Sequence, residues 1–83
     1  MKISRMKSLT KKFGHRIKYL RTMRGYSQEQ FAEKCGFART YMSRIETGGA
    51  NPSLIALEVL ATALEVSLSQ LLNFEEKDSE SKP

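Results

Sequence analysis

The sequence predicts an all-α fold, a compact domain of five short helices joined by tight turns. Three observations carry that expectation. Apolar residues recur at spacings of three and four, and no run alternates with period two. Serines precede three of the apolar runs, at Ser27, Ser53 and Ser67, where a hydroxyl can cap a helix. Gly25, Gly36 and Gly48 follow runs, where a glycine can adopt the left-handed conformation that closes a helix.

The first helix carries Phe13, Ile17 and Leu20 at i, i+4 and i+7, surrounded by Lys11, Lys12, Arg16 and Lys18. Thr10 or Ser8 can cap it, and Gly25 ends it. The second opens at S-Q-E-Q, with Ser27 as N-cap and Gln30 as its capping-box partner. Phe31, Ala32 and Cys35 form its apolar side, and Gly36 closes it. After Gly36, Phe37 and Ala38, a third helix spans residues 39–47 and stops at Gly48 and Gly49. Pro52 lies just outside a fourth helix capped by Ser53, whose buried stripe is Leu54, Leu57, Ala61 and Leu64. The fifth starts at S-L-S-Q, with Ser67 and Gln70 as a second capping box, and carries Leu68, Leu71 and Leu72 to about Phe74.

Length and composition bound the function. At 83 residues the chain has room for one domain. A chain this short buries only about 60% of its extended surface, so it needs further stabilisation. A single cysteine, Cys35, excludes an internal disulfide, and a single histidine, His15, argues against a protein-only zinc site. Oligomerisation remains. The uncharged run between Glu46 and Glu58 is broken by glycines and a proline, far short of the roughly 20 apolar residues of a membrane span. A cytoplasmic protein with Cys35 reduced is the expectation.

Charge points to a polyanion partner. Fourteen Lys and Arg against nine Asp and Glu give a net charge of +5. Residues 1–8 form a basic arm with Lys2, Arg5 and Lys7, either solvated or wrapped on a polyanion. Residues 9–74 form the folded body and remain basic. Residues 75–83 contain no apolar side chain, carry Glu75, Glu76, Asp78 and Glu80, and are expected to be disordered.

The second and third helices, joined by a short glycine-containing turn, have the layout of a helix-turn-helix, whose second helix enters the DNA major groove. At about 100° per residue, Tyr41, Met42 and Ile45 of the third helix form a core-facing stripe. Thr40, Ser43 and Thr47 point the other way, flanked by Arg39 and Arg44. That face is short, polar and cationic. Arginine can fork onto guanine O6 and N7, and threonine can meet a thymine methyl.

Residues 28–72 resemble the helix-turn-helix domain of the Cro and phage-repressor class, the XRE family. The matching stretches are S-Q-E-Q-F-A-E-K-C-G-F, R-T-Y-M-S-R-I-E-T-G, N-P-S-L-I-A-L-E-V-L-A-T-A-L-E-V-S and L-S-Q-L-L, with R-I-K-Y-L-R before them. R-T-Y-M-S-R-I-E followed by N-P-S-L is most similar to the small controller proteins of restriction–modification systems; phage-type repressors and antitoxins share these stretches. The resemblance implies a phosphate contact for Gln28 with the amides of its helix. It implies base reading or adjacent phosphate contact for Arg39, Thr40, Ser43 and Arg44, and a structural ion pair between Arg21 and Glu46.

Two departures qualify this. Ala38 stands where relatives carry a capping Ser or Thr, an omission worth about 1 kcal/mol. The loop Thr47-Gly48-Gly49-Ala50-Asn51 lacks the basic side chains common there, so backbone amides and Asn51 are expected to replace them.

The resulting expectation is a sequence-specific regulator, a repressor or autoregulator, acting as a homodimer on a palindromic operator in double-stranded DNA. A controller or antitoxin-type activator is the alternative, as is a non-DNA interaction module on the same fold. An acidic protein could compete for the basic face. No Ser/His/Asp set or phosphate-cradling glycine loop is present, so neither an enzyme nor a cofactor is expected. The dimer is expected to use Ile55 and Val59, on the side of the fourth helix away from its core stripe, with Leu71, Leu72 and Phe74 adding apolar area.

Overall fold

A computed structural model describes the backbone of residues 3–74 and the side chains of residues 8–74. Five helices follow one another, with no strand among the described residues: α1 Ile3–Met23, α2 Gln28–Cys35, α3 Arg39–Thr47, α4 Leu54–Leu64 and α5 Leu68–Leu71. The serine signals hold. Ser27 and Ser67 each complete a capping box with Gln30 and Gln70, and Ser53 accepts a hydrogen bond from the Ala56 amide. Gly36 and Gly48 close α2 and α3 at φ 75° and 86°. The end of α4 carries no such mark. Glu65 takes the left-handed conformation at φ 60°, while the Val66 amide reaches back to the Ala61 carbonyl at 3.0 Å.

The N-terminus departs from expectation. Helix α1 begins at Ile3, so Ser8 and Thr10 lie inside it and neither caps it. No glycine or proline interrupts the chain before Gly14, so nothing local stops the helix from extending back through residues 3–8. The side chains of Lys2, Arg5 and Lys7, like the acidic tail, lie outside the described residues.

The core gathers one apolar stripe from every helix. Ile17, Phe31, Met42, Ile45, Leu60, Leu64 and Leu71 are wholly buried, and Phe13, Ala32 and Ala61 nearly so. Each large side chain contributes about 1.5–3 kcal/mol on burial. Two positions differ from the sequence reading. Leu54 is 73% exposed, because it is the first residue of α4 and lies at the edge of the stripe. Leu71 is 0% exposed and belongs to the protomer's own core, so it cannot line a dimer interface.

Helices α1 and α3 pack closely along one another. A Cβ on Gly14 would lie 2.5 Å from the carbonyl oxygens of both Ile45 and Glu46, so the crossing needs a residue without a side chain. Alanine normally improves a helix interior by about 1 kcal/mol over glycine. Here the obstacle is backbone on both sides, and overpacking of that kind costs about 1–3 kcal/mol or more. Gly14→Ala should therefore lower the melting temperature. A higher one in a thermal melt would show that the two helices are free to separate.

Candidate nucleic-acid interface

Helices α2 and α3, joined through Gly36, Phe37 and Ala38, present the N-terminus of α3 to solvent. The rear of α3 is anchored. Met42 and Ile45 are buried, and Tyr41 makes an edge-to-face contact with Phe37 at 5.1 Å between ring centroids. Arg39, Thr40 and Arg44 are exposed on the front, with Ser43 half-buried between them. Gln28, Arg39, Thr40 and Ser43 together line a shallow depression of about 280 Å³. The structure thus brings four of the expected contact residues to one place, from the starts of two helices.

Ala38 makes no side-chain cap, as its methyl group dictates. The first amides of α3 are left without a side-chain acceptor beside that depression, where a helix N-terminus favours negative charge.

Behind the depression lies a buried ion pair. Arg21 donates from Nε to Glu46 Oε2 at 2.6 Å and from Nη2 to Oε1 at 3.1 Å, and its Nη1 donates to the Tyr26 carbonyl at 2.8 Å. Gln28 Nε2 donates to Glu46 Oε1 at 3.1 Å. Arg21 and Glu46 are only 7% and 6% exposed. One carboxylate therefore ties α1, the first residue of α2 and the last turn of α3 together. The resemblance implied the pair; the participation of Gln28 was not legible in the sequence. It commits one amide N–H of Gln28 inward and orients the rest of that side chain at the rim.

Other expected contacts are redirected. Arg44 Nη2 donates to the Gly49 carbonyl at 2.8 Å, which draws its guanidinium toward the C-terminal turn of α3. The Thr47 hydroxyl donates back to the Ser43 carbonyl at 3.0 Å. The amides of Gly48 and Gly49 are not available as anion donors, because they close the helix on the carbonyls of Ile45 and Arg44 at 3.2 and 2.7 Å. Asn51 lies away from the depression, on an apolar groove of about 290 Å³ shared with Leu9, Phe13, Leu57, Leu72 and Phe74.

His15 is exposed, and Cys35 is half-buried against the core at the end of α2. Burial pushes the Cys35 thiol up to about 11 from 9.0, against a weaker downward pull from Lys34. A thiol shifted this far carries roughly 100-fold less thiolate at pH 8, so iodoacetamide should alkylate the folded chain about that much more slowly than the unfolded one. The folded state holds this proton more tightly, so the thiol leaves stability unchanged below pH 9 and subtracts from it as pH rises toward 11. Equal alkylation rates in the two states would show an open site.

An exposed polar and cationic helix face, an uncapped N-terminus and a buried brace behind them define a helix-turn-helix domain of the DNA-binding class. The family model for HTH_3, a helix-turn-helix, matches residues 17–71. The chain belongs to this family, which comprises DNA-binding transcription regulators of the XRE type. It is 47% identical over 66 residues to the HTH-type transcriptional regulator SinR of Bacillus licheniformis, a match covering 78% of this chain and 58% of that protein. It is 39% identical over 74 residues to the control protein C.MunI of a Mycoplasma species, covering 88% of this chain and 100% of that one. The chain spans a little over half the length of the SinR relatives it matches.

Among solved structures, the restriction–modification controller protein C.AhdI from Aeromonas hydrophila superposes with a TM-score of 0.71 at 43% identity, over 76% of this chain and 94% of that one. SinR in complex with DNA superposes at 0.69 and 44% identity, over 74% of this chain and 98% of that one. Among the described residues no helix is long and apolar enough to cross a membrane.

Proposed function

We propose that the chain is a sequence-specific transcriptional regulator that binds an imperfect palindrome in double-stranded DNA as a homodimer, and represses or autoregulates from there. The depression formed by Gln28, Arg39, Thr40 and Ser43 at the uncapped start of α3 carries this reading. Its donors are arranged for one phosphate flank and a few base edges. The protein acts in the cytoplasm, on DNA, without catalysis or cofactor. Arg39, Thr40 and Ser43 read bases, Gln28 positions the backbone, and Arg44 and Thr47 lie at the far end of the same face. Asn51 is left a peripheral part. The SinR structure solved with DNA supports the reading, as does the similarity to controller proteins. A footprint on the DNA immediately upstream of the protein's own coding sequence is the direct test. Protection of two half-sites about one helical turn apart is expected; uniform protection without half-sites would exclude sequence-specific binding.

For the dimer, Ile55 is 70% and Leu72 45% exposed, so both leave apolar area that a second protomer would cover. Phe74 contributes less, since its ring leans on Phe13 with centroids 6.3 Å apart. Val59 sits half-buried in a separate shallow cleft beside Lys34 and Thr62. The interface therefore centres on Ile55 and Leu72, with Leu54 joining from the start of α4. Sedimentation of the free chain at tens of micromolar should give a dimer, and Ile55→Asp a monomer. A monomeric wild-type chain would remove this interface.

A further inference from the structure

We propose that Lys11, on α1, contacts a DNA phosphate and forms with Arg44 a cationic clamp beside the turn that closes α3. The inference rests on the DNA-binding reading above and adds a contact outside the helix-turn-helix itself. The loop after α3, residues 48–53, contains no cation, and its Gly48 and Gly49 amides are committed to the helix cap. Neither glycine amide can therefore serve a phosphate on that flank of the recognition helix. The structure places a replacement there.

Helix α1 docks on this turn. The Thr10 hydroxyl donates to the Gly48 carbonyl at 3.1 Å. A Cβ on Gly48 would meet Lys11 Cγ at 2.7 Å, Lys11 Cα at 2.9 Å and the Lys11 nitrogen at 3.2 Å, so the stem of Lys11 lies directly over the glycine. About one turn along, Gly14 rests on the carbonyls of Ile45 and Glu46, which fixes the register of α1 against α3. Lys11 is exposed, and it makes no ion pair with any described residue. On the same turn, the exposed Arg44 is held to the Gly49 carbonyl through Nη2 alone. Two cations thus bracket the turn: Lys11 covers Gly48, while the neighbouring Gly49 is exposed and presents no side chain to an approaching phosphodiester.

A lysine is a strongly hydrated point charge, so its contribution should be sequence-independent and dependent on salt. The experiment is a titration of wild type, Lys11→Gln and Lys11→Arg against two duplexes of about two helical turns. One duplex is selected from a random library on the wild-type protein, and the other is a scrambled version of it. Glutamine keeps the Cβ and Cγ that pack on Gly48, and a thermal melt checks that the fold is intact. Lys11→Gln should weaken binding to both duplexes by the same factor, about 5–10-fold per half-site near 0.1 M salt, and the difference should vanish toward 1 M. The slope of log affinity against log salt should fall by about 0.9 per half-site, and Lys11→Arg should restore it. An unchanged slope overturns the clamp, as does a loss confined to the selected duplex, which would make Lys11 a base reader. Wild type that binds neither duplex overturns the regulator reading, and this proposal with it.

Discussion

Glu46→Ala is expected to leave the domain largely unfolded or melting at least about 12 °C lower. The carboxylate accepts from Arg21 twice and from Gln28 once, in a site with almost no solvent. Removing it strands a buried guanidinium, an event that costs about 3–5 kcal/mol where an exposed pair is worth under about 1. A domain of this size has about 5–15 kcal/mol in total, and each kcal/mol shifts its melting temperature by roughly 4–8 °C. The mechanism also predicts a rescue. Arg21→Met with Glu46→Leu should recover most of the loss, because removing both charges leaves no unpaired one behind. DNA affinity should stay impaired in the double variant, since Gln28 loses the partner that orients it at the rim. A melting temperature for Glu46→Ala within a degree or two of wild type would place the pair in solvent and cancel its bracing role.

Arg39→Ala is expected to give the largest loss of function with the fold unchanged. Arg39 is the first residue of α3, exposed beside Thr40 and Ser43, and it makes no ion pair with any described residue. A guanidinium forked onto one guanine is worth about 1–3 kcal/mol of discrimination. With two half-sites in a dimer the cost roughly doubles, so operator affinity should fall by about 30-fold to 10⁴-fold. Binding to a scrambled duplex should change far less. Gln28→Ala, in contrast, should weaken both duplexes alike. Equal losses on operator and scrambled DNA for Arg39→Ala would make it a phosphate contact. The reading role would then pass to Thr40 and Ser43, because the contact of Arg44 with Gly49 pulls its side chain away from them.

Much of this architecture was legible in the chain itself. Ser27, Ser53 and Ser67 cap helices, and Gly36 and Gly48 end them, because caps and left-handed turns depend on residues within a few positions of one another. Periodicity likewise put Met42 and Ile45 inside and Arg39 and Thr40 outside, since on a helix the burial of one face follows from the repeat alone. The pair of Arg21 with Glu46 came from resemblance, not from any local rule.

What remained hidden involves partners from different helices. Leu71 and Leu72 are adjacent and chemically identical, yet one fills the core and the other faces solvent, because only the docking of α5 decides which direction is inward. Arg44 turned to a carbonyl five residues ahead, and Gln28 was drawn to a carboxylate eighteen residues away. Lys11 came to rest over Gly48 only because Gly14 lets α1 and α3 touch along their backbones. The sequence by itself determined the five helices, the serine caps of α2, α4 and α5 and the chemistry of the exposed face, all of which are short-range properties of the chain. The tertiary structure decided which polar groups remain available to DNA, because that depends on the angles and distances at which the helices cross.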